Sequence, residues 1–257
     1  MSKSIDVALI QARLHWQDAS ANRAHLAELM GASPGANLYL LPETFSTGFL
    51  GDVSQEPETM HGDTVVWMQQ QASTRNAAVA GSLALAEGDA RFNRFLFVTA
   101  DGVLAQYDKR HLFGYGGEDQ RYQSGSTHTI VDWQGWRIDL QICYDLRFPV
   151  WCRNNRGFDL QLFVANWPSP RVEAWRSLLK ARAIENQSYV IGVNRTGQDG
   201  NGIQYPGASS AWGPLGERLE ELDEREGTGR VRLSLDELRS VREKLPFLAD
   251  ADDFELR

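Results

Sequence analysis

Residues 5–11 (IDVALIQ) form an apolar run with little polar relief, the pattern of a strand buried on both faces. Residues 17–30 change to a helical period, with Ala21, Leu26, Leu29 and Met30 near one face and Gly31 where a C-terminal cap belongs. After the Ser33-Pro34-Gly35 punctuation, LYLL at 38–41 reads as a second buried strand. A helix over 63–74 follows, capped by Asp63 or Thr64 and apolar at Val65, Val66, Trp67 and Met68, and then a third strand over 77–83.

From residue 92 the period shortens to two. Residues 92–109 alternate around Asp101-Gly102, and residues 129–142 alternate around Gln134-Gly135, so each predicts a hairpin. Pro149 suits the first turn of a helix. A strand over 159–166, a helix over 171–186, a strand over 189–194, a strand near 229–235 and a helix over 236–244 complete the pattern. The helix over 171–186 has Trp175, Leu178, Leu179 and Ala183 on one face and basic residues on the other. Strand–helix alternation interrupted by antiparallel hairpins predicts a layered α/β sandwich with mixed sheets. No repeat, low-complexity segment or linker divides the chain, which reads as one domain over 1–257.

Composition narrows the function classes. The 257 residues are 42% hydrophobic and 23% charged, which suits a packed core. The 26 Lys and Arg against 34 Asp and Glu give a net charge of -8, contrary to a sequence-wide nucleic-acid or anionic-membrane binder. No apolar run reaches membrane-spanning length and the first residues lack the long apolar stretch of a signal peptide, so the expected location is the cytoplasm. Two cysteines can build neither a disulfide framework nor a four-cysteine zinc site, and the five histidines show no H-x-x-x-H pairing. Gly31-Ala32-Ser33-Pro34-Gly35 matches G-x-S-x-G, but a helix precedes it and a strand follows, the reverse of a nucleophile elbow.

Three strand ends carry chemistry. LYLLPETF presents Glu43, VLAQYDKRHLF presents Lys109 and RIDLQICYDLRFP presents Cys143. Sites in open α/β folds gather at the carboxyl ends of strands. Singly, each residue has an ordinary reading: a core thiol, a solvated ammonium, a capping carboxylate. Together they form a nucleophile set. A free thiol is mostly protonated at neutral pH, so Cys143 needs a base, a cation or a helix N-terminus. Glu43 can take its proton, Lys109 is a cation, and Pro149 marks a helix start nearby. Lys109 and the backbone N–H of Tyr144 can receive the oxyanion formed by attack on a carbonyl, and Glu43 can protonate a departing amine and then activate water. Cys152 reads as packing. A pairing of Cys143 with His111 or His128 ranks lower, because His111 points to the other side of an extended chain from Lys109.

LPETF (41–45), YDKRHLF (107–113) and CYDLRFP (143–149) resemble the three catalytic motifs of the nitrilase superfamily of carbon–nitrogen hydrolases, in that family's Glu, Lys, Cys order. The resemblance extends over Gln11-Ala12, Gly62-Asp63-Thr64, Ser124-Gly125, residues 181–197 and VREKLPFL (241–248). It implies a four-layer αββα sandwich, association as a homodimer or larger homo-oligomer, and no metal or organic cofactor. It also implies Glu43 as general base and acid, Lys109 as oxyanion stabiliser, Cys143 as nucleophile, and Glu118, placed by Ser124-Gly125, as a second active-site glutamate, with Asp119 its neighbouring competitor. The C-terminal tail from about 236 to 257 is expected at an oligomer interface.

Within the superfamily, CYDLRFPVWCRN resembles the omega-amidase branch, which hydrolyses the terminal amide of 2-oxo acids such as 2-oxoglutaramate and 2-oxosuccinamate. Other branches (deaminated glutathione amidase, N-carbamoyl hydrolase, nitrilase) and a catalytically silent binding scaffold are the competing readings. A carboxylate-bearing substrate needs a cationic seat. Arg147 either supplies it or holds Asp145. Phe113, Tyr115 and Trp167 are candidate pocket walls.

Overall fold

The computed structural model describes residues 4–49 and 57–255. Its strands are β1 (Ser4–Gln11), β2 (Leu38–Leu40), β3 (Glu58–Thr59), β4 (Ala78–Glu87), β5 (Ala90–Thr99), β6 (Gly102–Asp108), β7 (Ile130–Trp133), β8 (Trp136–Ile142), β9 (Leu160–Ala165), β10 (Tyr189–Asn194), β11 (Thr196–Gln198), β12 (Gln204–Pro206), β13 (Ser210–Trp212), β14 (Arg218–Glu221) and β15 (Gly227–Ser234). The helices are α1 (Ala19–Gly31), α2 (Asp63–Arg75), α3 (Val172–Asn186) and α4 (Leu235–Lys244).

One sheet has the order β15-β1-β2-β4-β5-β6, with β3 also on β4, and the other the order β14-β13-β10-β9-β8-β7. Each is mixed: β1, β2 and β4 run parallel, as do β8, β9 and β10, and antiparallel pairs complete the sheets.

The period-two pattern of β1 shows why there are four layers. Ile5, Val7 and Leu9 join Leu38, Leu40, Phe95 and Phe97 in a core shared with Ile138, Leu140 and Ile142 of the opposite sheet. The alternate residues Ala8 and Ile10 pack instead with Leu26 and Met30 of α1 and with Met68 and Ala72 of α2. On the other side α3 covers the second sheet through Trp175, Leu179 and Ala183. Gly192 of β10 permits that approach, since a Cβ there would lie 2.5 Å from Leu179 and 2.6 Å from Trp175. The αββα sandwich expected from the resemblance is therefore present.

Local expectations meet mixed outcomes. Gln134 and Gly135 both adopt positive φ (51° and 83°), as a two-residue hairpin turn requires. Gly62, rather than Asp63 or Thr64, is the N-cap of α2, and the Glu58 carboxylate accepts the Thr64 N–H at 2.7 Å. The helix expected from Pro149 does not form: residues 143–147 make a 3-10 turn ahead of it and 149–152 are turns. The third strand extends to Glu87 and forms a hairpin with β5, and β11–β14 occupy a stretch where the pattern showed none.

Asp139 of β8 is fully buried. Its Oδ2 accepts Gln161 Nε2 at 2.7 Å and Gln141 Nε2 at 2.9 Å. Burial pushes its pKa up to about 7, against the lowering effect of those two amides. A folded-state pKa raised above the unfolded value of about 3.9 means stability that is fully present below pH ~3.9 and lost as pH rises through about 7. Asp139→Asn is expected to flatten that decline and to gain on the order of 3 kcal/mol relative to wild type at pH 8 over pH 4. Thermal or urea unfolding of both proteins at the two pH values checks it; parallel pH curves would refute it.

Candidate active site

The chain leaves β2 through Leu41 and Pro42 to Glu43, leaves β6 directly into Lys109, leaves β8 directly into Cys143 and leaves β9 directly into Asn166. All four therefore stand just past carboxyl ends, two from each sheet. Two of these exits use left-handed backbone. Cys143 has φ 43° and Thr44, beside Glu43, has φ 42°. Non-glycine residues in this region cost about 1–3 kcal/mol each and persist only where their surroundings hold them. At Cys143 the reversal swings the chain out of β8 into the 3-10 turn and sets the thiol on the wall of a cleft.

Lys109 is wholly buried. Its Nζ donates to Glu43 Oε1 at 2.8 Å and to both oxygens of Glu118, at 3.0 and 2.8 Å. The Phe49 ring lies 5.2 Å from the ammonium. Burial works against the ammonium, but Glu118 and Glu43 outweigh it and hold the Lys109 pKa above its ordinary value. The backbone is fastened on both sides: Lys109 N donates to Asn93 O at 3.0 Å, and Gly125 N donates to Lys109 O at 2.9 Å. A Cβ at Gly125 would lie 2.1 Å from Asp108 O, so only glycine allows that approach.

Of the two candidates, Glu118 is buried against Lys109, whereas Asp119 is exposed. Burial raises the Glu118 pKa, opposed by Lys109. Asn93, unrecognised in the sequence, joins the two carboxylates: its Nδ2 donates to Glu43 Oε1 at 2.8 Å and to Glu118 Oε1 at 3.1 Å. Asn166 was also missed. Its backbone N–H donates to Glu43 Oε2 at 2.8 Å, and its Nδ2 to Glu43 O at 2.9 Å. An asparagine closing a buried strand, as in VAN at 164–166, was the available signal.

The Cys143 pKa is pushed well above its ordinary value, first by burial and then by the nearby Glu43 carboxylate; Lys109 acts in the opposite direction. The resting group is thus a neutral thiol beside a base, at the head of a 3-10 turn rather than of the α-helix expected from Pro149. His111 takes no part in this pairing. It stacks on Phe148 at 3.7 Å and its Nδ1 lies 2.8 Å from Asp145 Oδ1. His128 stacks on Trp151, and burial lowers its pKa to about 4. Cys152 is buried packing, as expected.

The Asp145 carboxylate makes four contacts, to three residues. Oδ1 accepts the His111 N–H at 2.9 Å besides meeting the ring, and Oδ2 accepts the Tyr107 hydroxyl at 2.8 Å and the Ile142 N–H at 3.1 Å. One carboxylate thereby ties the segment carrying Lys109 to the segment carrying Cys143. Arg147 is not what holds it: its guanidinium lies 4.7 Å from the Trp167 ring and lines the cleft.

The space in and over that cleft amounts to about 460 Å³. Cys143, Tyr144, Arg147, Phe113 and Trp167 line it, with Arg171, Ile203 and Tyr205 among the other lining residues. Tyr115 is a correction. It sits on a 3-10 turn, is 92% exposed, and stands apart from the cleft wall, touching Phe113 only ring to ring at 5.8 Å.

Known proteins place this geometry. Over 253 residues, 98% of each chain, the sequence is 44% identical to the omega-amidase YafV of Escherichia coli. It is 32% identical to a 2-oxoglutaramate amidase of Bacillus subtilis, covering 85% of this chain and 86% of that one. The crystal structure of a CN-hydrolase superfamily protein from Xanthomonas campestris, with an arsenic adduct in its active site, superposes with a TM-score of 0.96 at 44% identity over 99% of both chains. The carbon-nitrogen hydrolase family profile matches residues 6–243, and the chain belongs to that family.

Proposed function

We infer that this hydrolase cleaves the terminal amide of small omega-amides of 2-oxo acids, 2-oxoglutaramate and 2-oxosuccinamate, to the dicarboxylate and ammonia. The observation that carries the reading is a thiol set beside a buried glutamate and a buried, ion-paired lysine, in a cleft that also presents an arginine. The similarity to omega-amidases supports the substrate class.

Glu43 takes the Cys143 proton as sulfur attacks the amide carbon. The charge that develops on the carbonyl oxygen is received by the Lys109 ammonium and by the Tyr144 N–H, which lies in the first turn of a 3-10 segment where backbone donors lack partners within the turn. The tetrahedral adduct collapses to a thioester as Glu43 returns the proton to the departing nitrogen, releasing ammonia. Glu43 then removes a proton from water, hydroxide attacks the thioester, and the thiol leaves reprotonated. Glu118 orients Lys109. Arg147 seats the substrate carboxylate, between walls formed by Phe113 and Trp167.

The whole chain acts as one domain. It works as a homodimer or larger homo-oligomer, with the exposed end of the C-terminal tail around Phe247 at the interface. Among the described residues no helix is long and apolar enough to cross a membrane, and two free cysteines suit a reducing cytoplasm.

Ammonia release from 2-oxoglutaramate, 2-oxosuccinamate, a neutral amide of equal length and the matching nitrile tests the substrate class. The 2-oxo amides are expected to have kcat/KM at least about tenfold higher than the others, as one charge-assisted hydrogen bond supplies. A nitrile turned over faster than every amide would overturn the reading.

A further inference from the structure

Arg171 has no part in the chemistry described above, yet it lines the same cleft as Cys143 and Arg147. It ends the short 3-10 segment Ser169–Arg171 immediately before α3. Its backbone is anchored, because the Trp167 indole N–H donates to Arg171 O at 2.7 Å. Its guanidinium lies 5.5 Å from the Phe113 ring centroid. Phe113 is itself fixed: its N–H donates to Glu118 Oε2 at 2.6 Å and its ring meets Tyr144 edge-on at 5.1 Å. Thus Arg147 rests on Trp167 and Arg171 on Phe113, and neither guanidinium pairs with a carboxylate of the described residues. Planar guanidinium groups held on aromatic faces keep their hydrogen-bonding edges free for a planar anion.

The electrostatics give this second cation a purpose. The chain carries a net charge of -8, and the buried trio of Glu43, Glu118 and Lys109 sums to -1. A 2-oxo acid amide arrives as an anion. One arginine balances its carboxylate, whereas the adjacent keto oxygen and the negative surroundings leave work for another. We propose that Arg171 is a specificity-determining residue that, with Arg147, grips the 2-oxo carboxylate end of the substrate and so selects anionic omega-amides over neutral ones. This rests on the functional reading above and extends it to a residue outside the catalytic motifs.

The test uses Arg171→Gln and Arg171→Lys in two arms. In turnover, the ratio of kcat/KM for 2-oxoglutaramate to that for a neutral amide of equal length is expected to fall by about 30-fold or more in Arg171→Gln, mainly through KM. Arg171→Lys recovers part of it, since a point charge replaces a fork. In binding, 2-oxoglutarate titrated calorimetrically into Cys143→Ala protein is expected to show a Kd raised by a similar factor when Arg171→Gln is added. An unchanged ratio together with an unchanged Kd overturns the proposal, as does an equal loss on both amides, which marks a merely structural role. Failure of wild type on every 2-oxo amide defeats the functional reading instead, and the binding arm then still decides whether Arg171 holds the anion.

Discussion

Cys143→Ala, Glu43→Gln and the double variant are all expected to lose about ten-thousand-fold or more in kcat on 2-oxoglutaramate, the double losing no more than either single change. The expectation follows from the protonation state of the thiol. Burial and the adjacent carboxylate hold Cys143 neutral, so nucleophilicity must be created at the moment of attack by transfer to Glu43. Glutamine fills the same space and keeps one acceptor oxygen for Lys109 or Asn166, but it cannot accept the proton. The two residues therefore act as a unit and their effects cannot add. Mass spectrometry separates the steps: wild type quenched during turnover should carry the acyl mass on Cys143, and Glu43→Gln should not. Activity within tenfold of wild type in Glu43→Gln would mean that the thiol ionises without it, and the mechanism would be wrong.

Lys109→Met should damage both stability and catalysis, and a second substitution should repair only the first. Removing the ammonium leaves Glu43 and Glu118 as two buried carboxylates sharing one amide donor, Asn93. Breaking a buried pair from one side typically costs about 3–5 kcal/mol, because the partner charge is left without compensation. Adding Glu118→Gln to Lys109→Met returns the cluster to the -1 it has in wild type, so most of the unfolding free energy should return. Turnover should stay about a thousandfold or more below wild type, because the charge on the carbonyl oxygen still lacks its cation. Urea denaturation and kinetics on the two variants give both numbers. Recovery of activity in the double variant would remove Lys109 from the chemistry.

Legibility in the sequence followed physical contrast. Glu43, Lys109 and Cys143 stood out because each follows a stretch with a clear strand pattern, and the structure puts all three past strand ends. Asn93 and Asn166 did not, because a polar residue within or closing a buried strand reads as a break in the pattern; its meaning lies in partners 25 to 123 positions away. The stretch carrying β11–β14 is Gly-rich and its strands are three or four residues long, too short for periodicity to register. Tyr115 and Pro149 were misread for a common reason. Aromatic character and ring-fixed φ state what a residue can do in a pocket or a helix, whereas its burial is decided by distant parts of the chain.

The hydrogen bonds from Asn166 to Glu43, and from Tyr107 and the His111 N–H to Asp145, cross from one sheet's strand ends to the other's. Between the sheets lies an oily interface, and oil is indifferent to sliding: apolar contact rewards area without specifying alignment. These few directional bonds are not indifferent. They work as dowel pins, seating one slab on the other in a single alignment. The machinery that meets the substrate is thus also the part that tells the two halves of the sandwich where to stop.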